Sequence, residues 1–142
     1  MSIFGIGSDI VEVSRIEHLI TTSGDRFLKR IYSSAEITYA MAKARPALHF
    51  AARFAAKEAF VKALGCGFRD GIEWRDIEIE NNRLGRPSMR LHNRVAAICR
   101  QYDLLEPWLT LAHEQEYAQA FVILESDAGK NPATQTGISA HE

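Results

Sequence analysis

Asp9, Glu58 and Lys62 stand in contexts that suit phosphate chemistry. Asp9 follows Gly5-Ile6-Gly7 in an isoleucine- and valine-rich stretch, Ile3 to Val13. Glu58 lies in Arg53-Phe54-Ala55-Ala56-Lys57-Glu58-Ala59-Phe60-Val61-Lys62-Ala63-Leu64-Gly65, where cations and one acid are set among alanines. Magnesium prefers oxygen ligands, usually one or two carboxylates beside waters and substrate phosphates. One acid from each stretch could share such an ion, since glycines and alanines let two backbones approach. On spacing alone the plainer alternative is favoured, in which Asp9 caps a turn and Glu58 is a solvated helix acid.

Glu58 and Lys62 are four apart on one helix face, a spacing that usually means a surface pair of about 0.2–0.5 kcal/mol. Arg53 and Lys57 have the same spacing and like charge, a mild repulsion that a bound anion would relieve. Lysine suits a point contact with phosphate or protonation of a leaving group, and arginine a forked contact. Without further information a solubilising helix face remains the simpler account of all four. His113 stands at the end of an expected strand, a place where a lone histidine is usually a surface or hydrogen-bonded residue. Arg15, Arg26, Lys29 and Arg30 form a local basic patch, which either faces an acidic partner or is an ordinary solvated surface.

Several classes are excluded or disfavoured. No GxGxxG or GxxxxGK[ST] loop is present, nor an HExxH or GxSxG motif. The net charge of −1 gives no global signal for nucleic acid. Cys66 and Cys99 lack a CxxC partner, so a zinc site is not expected. Two reduced thiols are the favoured reading, with a disulfide as the alternative. No apolar run reaches the ~20 residues of a membrane helix. Without a signal-peptide pattern, the expected location is cytoplasmic.

These residues need elements to hold them. Ile3 to Val13 reads as a buried strand that ends or bulges near Asp9. Ser14 is placed to cap a helix from Arg15 to about Thr22, with Glu17 closing a capping box. Ser23-Gly24-Asp25 breaks the chain before a short helical piece, Arg26 to Ile31. Ser33 or Ser34 caps a helix containing Ala35 to Lys43. Pro46 opens a long central helix that Gly65 closes, with Phe50, Phe54, Val61 and Leu64 as core anchors. Asp76 to Glu80 and Pro87 to Leu91 read as strands around a turn. A helix follows from His92 or Asn93 to about Tyr102. Trp108–His113 and Ala118–Leu124 form a hairpin in outline. The expected fold class is α+β, with a mostly antiparallel sheet packed on the long helix. One domain spans residues 1–125, and residues 126–142 form a polar tail expected to be disordered.

The ordered pieces resemble the holo-acyl-carrier-protein synthases, the small 4′-phosphopantetheinyl transferases. Gly5-x-Gly7-x-Asp9 with Arg15-Ile16 resembles their first signature. Arg53-Phe54-x-x-Lys57-Glu58-Ala59-x-x-Lys62-Ala63-x-Gly65 resembles the second and more specific one. Asp76-Ile77-Glu78-Ile79, Gly85-Arg86-Pro87, His113, Tyr117-Ala118 and Phe121-Val122-Ile123-Leu124 keep the same order, so the likeness covers about residues 3–125.

The resemblance implies transfer of 4′-phosphopantetheine from coenzyme A to a serine of apo acyl carrier protein, in fatty acid biosynthesis. It reverses the plainer reading of the acids: Asp9 and Glu58 match the magnesium ligands. Lys62 would stabilise the leaving phosphate, and Arg53 and Lys57 would contact nucleotide phosphates. His113 matches a position associated with the coenzyme A 3′-phosphate. The base for the serine hydroxyl is Glu58 or a metal-bound water held by it. Arg15 and Arg26 match positions that meet the carrier's acidic helix. The family's small members form trimers with active sites between subunits. One departure is Ala112, where relatives often carry a hydroxyl residue before the histidine. Two alternatives remain: a metal-dependent hydrolase of coenzyme A, and a non-catalytic carrier-binding module.

Overall fold

In the computed structural model, residues 1–127 are described. The first strand, β1 (Ser2–Glu12), leads directly into α1 (Val13–Ile31). It does not end at Asp9, because Asp9 pairs with Ala120 in the middle of a continuous ladder. The expected irregularity lies earlier, between Ile3 and Gly5. Nor does Ser14 cap the helix. Glu12 is the N-cap and makes no side-chain capping bond, while the Val13 amide donates to the Glu116 carbonyl. The strand's own pairing thus carries the chain into the first turn. The break at Gly24 is present as a kink with φ +49°, dividing α1 in two.

Ser33 caps α2 (Ser34–Met41), and Glu36 returns the bond in a capping box. Pro46 opens α3 (Pro46–Leu64), and Gly65 closes it in the left-handed conformation. A 3-10 turn (Trp74–Asp76) precedes β2 (Ile77–Asn81), which pairs antiparallel with β3 (Pro87–Leu91). Then come α4 (Asn93–Gln101), β4 (Trp108–His113) and β5 (Tyr117–Ser126). The last strand runs one residue into the segment expected to be tail. Buried Ser126 donates its hydroxyl to the Tyr102 carbonyl. The rest of that segment, from residue 128, lies outside the described residues.

The main sheet has the order β1-β5-β4, all antiparallel, and the β2–β3 hairpin stands apart. This is the α+β arrangement expected, with α3 lying against the inner face of the larger sheet. Phe50, Val61 and Leu64 are buried as core anchors, together with Val122 and Leu124 from β5. Cys66 and Cys99 are buried free thiols, and burial pushes Cys99 up to about 11.

The outer face of the same sheet is also apolar. Ile6, Ile123 and Trp108 stand in one cross-strand row, with Phe121 and Ile10 in neighbouring rows. Ile6 is 59% exposed and Phe121 44%.

Candidate active site

The site begins where β1 crosses α3. A Cβ on Gly5 would lie 1.8 Å from the Ala63 carbonyl oxygen, and one on Gly7 would lie 1.8 Å from that of Ala59. Only glycine lets the strand rest on the helix backbone, and alanines on the helix leave room for it. Asp9 is the next residue on the same face of the strand, so its carboxylate is delivered to the flank of α3. There the Lys62 Nζ lies 3.1 Å from Asp9 Oδ1 and donates to the Ser8 carbonyl at 3.0 Å.

Glu58, one helical turn before Lys62, is half-buried beside them. Its pKa is raised, chiefly by burial and then by the negative charge of Asp9, while Lys62 and Arg15 oppose the rise. Two carboxylates therefore share one electrostatic environment with an exposed lysine and an arginine. Among the described residues no group of three or more histidine, cysteine or acidic side chains is placed to hold a metal. The donor set is thus two carboxylates. It fits a hard dication that completes its shell with water and substrate phosphate, and it does not fit an all-protein cage.

Arg53 and His113 lie elsewhere. Arg53 is only 2% exposed. It donates to Asn81 Oδ1 at 2.7 Å, and its guanidinium lies 4.2 Å above the Tyr39 ring. With His49, Asn81 and His113 it lines a cavity of about 200 Å³ that contains none of Asp9, Glu58 and Lys62. One chain therefore presents two separate groups, an acid–lysine group and an arginine–histidine group.

Lys57 does not face a ligand. Its fully buried ammonium donates to Glu36 Oε1 and the Ile31 carbonyl, both at 2.7 Å, and to the Trp74 carbonyl at 3.2 Å. An ammonium has three donors, and all are used. Burial holds its pKa below the lysine range, against the pull of Glu36. The expected phosphate contact is corrected to an internal clamp joining α1, α2, the 3-10 turn and α3. The i, i+4 pairing with Arg53 suggested a shared surface, but Arg53 and Lys57 instead enter the protein together.

Arg15 is exposed, with its guanidinium carbon 6.0 Å from the centroid of the Phe54 ring. Phe54 stacks on Trp74, and Trp74 on Phe68. Arg26 is exposed on the second limb of α1, which ends in Lys29 and Arg30. Ala112 points away from the cavity, on the outer side of the sheet with Thr110, in the alternation of β4. His49 was not singled out in the sequence. Its spacing of four from Arg53 on the same helix was the available signal.

A family model for the 4′-phosphopantetheinyl transferase superfamily matches residues 5–122. The chain belongs to that superfamily. Among curated relatives of this transferase, the holo-[acyl-carrier-protein] synthase of Geobacter sp. (strain M21) is 45% identical over 123 residues, 87% of this chain and 98% of the relative. Among solved structures, the synthase from Neisseria meningitidis superposes with a TM-score of 0.82 at 34% identity, covering 87% of this chain and 99% of that one. The synthase from Bacillus anthracis str. Ames, described in complex with CoA (3',5'-ADP), gives 0.73 at 34% identity, covering 89% and 100%. Among the described residues no helix of the transferase is long and apolar enough to cross a membrane.

Proposed function

We propose that this chain is the transferase that moves 4′-phosphopantetheine from coenzyme A to a serine of apo acyl carrier protein. It acts in the cytoplasm, in fatty acid biosynthesis. The observation that carries the reading is the convergence of Asp9, Glu58 and Lys62 where β1 crosses α3, in a member of this superfamily.

The serine oxygen attacks the β-phosphorus of the coenzyme A pyrophosphate. The bond from that phosphorus to the bridging oxygen breaks, and adenosine 3′,5′-bisphosphate leaves. Asp9 and Glu58 would hold magnesium, which when bound supplies charge neutralisation and Lewis-acid activation of the pyrophosphate. Glu58 takes the serine proton directly or through a water it holds. Lys62 is ion-paired with Asp9 yet half exposed, so it can turn to the departing phosphate, stabilise its charge and give it a proton. Arg53 and His113 bind the nucleotide phosphates. Arg15 and Arg26 meet the acidic helix of the carrier.

The working assembly is a homotrimer. Two features support this reading: the apolar outer face of the main sheet, and the separation of the acid–lysine group from the Arg53–His113 cavity within one chain. A neighbour that packs on this face could bring its own cavity to the acids.

Intact-mass spectrometry of an apo carrier protein incubated with the enzyme, coenzyme A and magnesium tests the reaction. One added phosphopantetheine is expected, lost with chelator and with Glu58→Ala. Cleavage of coenzyme A without transfer would instead identify a hydrolase. Neither cleavage nor transfer would leave a carrier-binding module.

A further inference from the structure

The cavity that holds Arg53 and His113 contains a second imidazole. The rings of His49 and His113 are 6.1 Å apart, and His49 meets the Tyr39 ring at 5.9 Å. Tyr39 itself lies between two cations, the Arg53 guanidinium at 4.2 Å and the Lys43 ammonium at 4.5 Å. Among the described residues no acid lines the cavity. The titratable groups acting on His49 come from three places: Arg53 on its own helix, His113 on β4, and Lys43 in the turn after α2. All of them oppose its protonation.

Such a collection is unfavourable by itself and becomes favourable around an anion. A second observation points the same way. The Nε of Arg53 is buried and has no hydrogen-bond partner. A buried donor left unmade costs free energy, and an anionic oxygen would satisfy it. The volume of about 200 Å³ is below that of pockets enclosing whole small molecules, roughly 300–1,000 Å³. The cavity therefore suits one end of a ligand.

We propose that His49 acts with His113 and Arg53 to hold a phosphate monoester dianion, the 3′-phosphate of coenzyme A. The identity of the ligand rests on the function proposed above, while the role of His49 goes beyond it. Burial and neighbouring cations keep His49 below the usual histidine range in the free protein. A dianion between the rings reverses the local field, so His49 takes up a proton as the phosphate enters. Affinity for the phosphate accordingly rises as pH falls into the histidine range, and levels off near the second phosphate pKa of about 6.

The test is calorimetric titration of coenzyme A and 3′-dephospho-coenzyme A into wild type, His49→Gln and His49→Phe, at about pH 8 and about pH 6.5. Thermal melting of each variant reports its fold, and the two substitutions differ in polarity, so one folded variant suffices. Wild type should prefer coenzyme A more strongly at the lower pH. Each folded variant should lose about threefold to tenfold of that preference, and most of its pH dependence. In turnover, KM for coenzyme A should rise while KM for the dephospho form does not. Variants that keep the full preference and its pH profile would overturn the role of His49. So would a wild type that binds both ligands equally. Wild type that binds no coenzyme A would overturn the proposed function, and this inference with it.

Discussion

Glu58 and Lys62 are the residues whose loss should remove chemistry without removing the fold, since each is at least partly exposed on a helix that other residues anchor. Glu58→Gln and Lys62→Ala should each reduce kcat/KM by about 10²-fold or more. Thermal denaturation should be little changed, and a large fall in melting temperature would refute this separation of roles. Lys57 should behave in the opposite way. Lys57→Met leaves Glu36 buried without its countercharge, at a cost of about 3–5 kcal/mol. Urea unfolding measures it, and adding Glu36→Gln should restore part of the loss. Unchanged stability in Lys57→Met would contradict the clamp. Spacing alone did not single out the acids and Lys62; the resemblance of two separate motifs did, and the fold sets Lys62 beside Asp9. The fate of Lys57 was not legible, because helical spacing states which residues share a face and not whether that face is covered.

At the level of elements, the junction of β1 and α3 places Asp9. Gly7→Ala would set a methyl group against a backbone carbonyl, which cannot swing aside as a side chain can. The cost should reach the upper end of the ~1–3 kcal/mol of overpacking or exceed it. Melting and soluble yield report it, and a fully stable Gly7→Ala enzyme would mean the crossing is looser than described. Most elements were readable from their punctuation: Ser33 with Glu36, Pro46 with Gly65, and the turn before Pro87. The start of α1 was not. Ser14-x-x-Glu17 has the pattern of a capping box, but the bond from the Val13 amide to Glu116 comes from a strand far along the chain. Local chemistry proposed one boundary and tertiary pairing set another. The bulge expected at Asp9 likewise fell at Ile3/Gly5, because Asp9 lies inside a ladder with β5 that the sequence does not display.

For the whole molecule, the proposed trimer makes two predictions. Phe121→Glu on the apolar face should dissociate the assembly, seen by sedimentation, and abolish activity with it. A variant that remains trimeric would rule out this face as the interface. Mixing refolded Glu58→Gln and Arg53→Ala chains in equal amounts should restore about a quarter of wild-type activity, the share of interfaces that combine one intact half from each chain. No restoration from two well-folded parents would show that each site is complete within one chain. The sheet order also determines when the protein can exist at all. Among the described residues β1 finds its sheet neighbour only in β5, and β4 joins the sheet through β5 as well. A chain emerging from the ribosome therefore carries β1, with Ile3, Ile6 and Ile10, unpaired until synthesis reaches Tyr117–Ser126. Such distant pairing favours slow folding after synthesis. A chain stopped before Tyr117 should be a target for chaperones or proteases, not a smaller version of the enzyme.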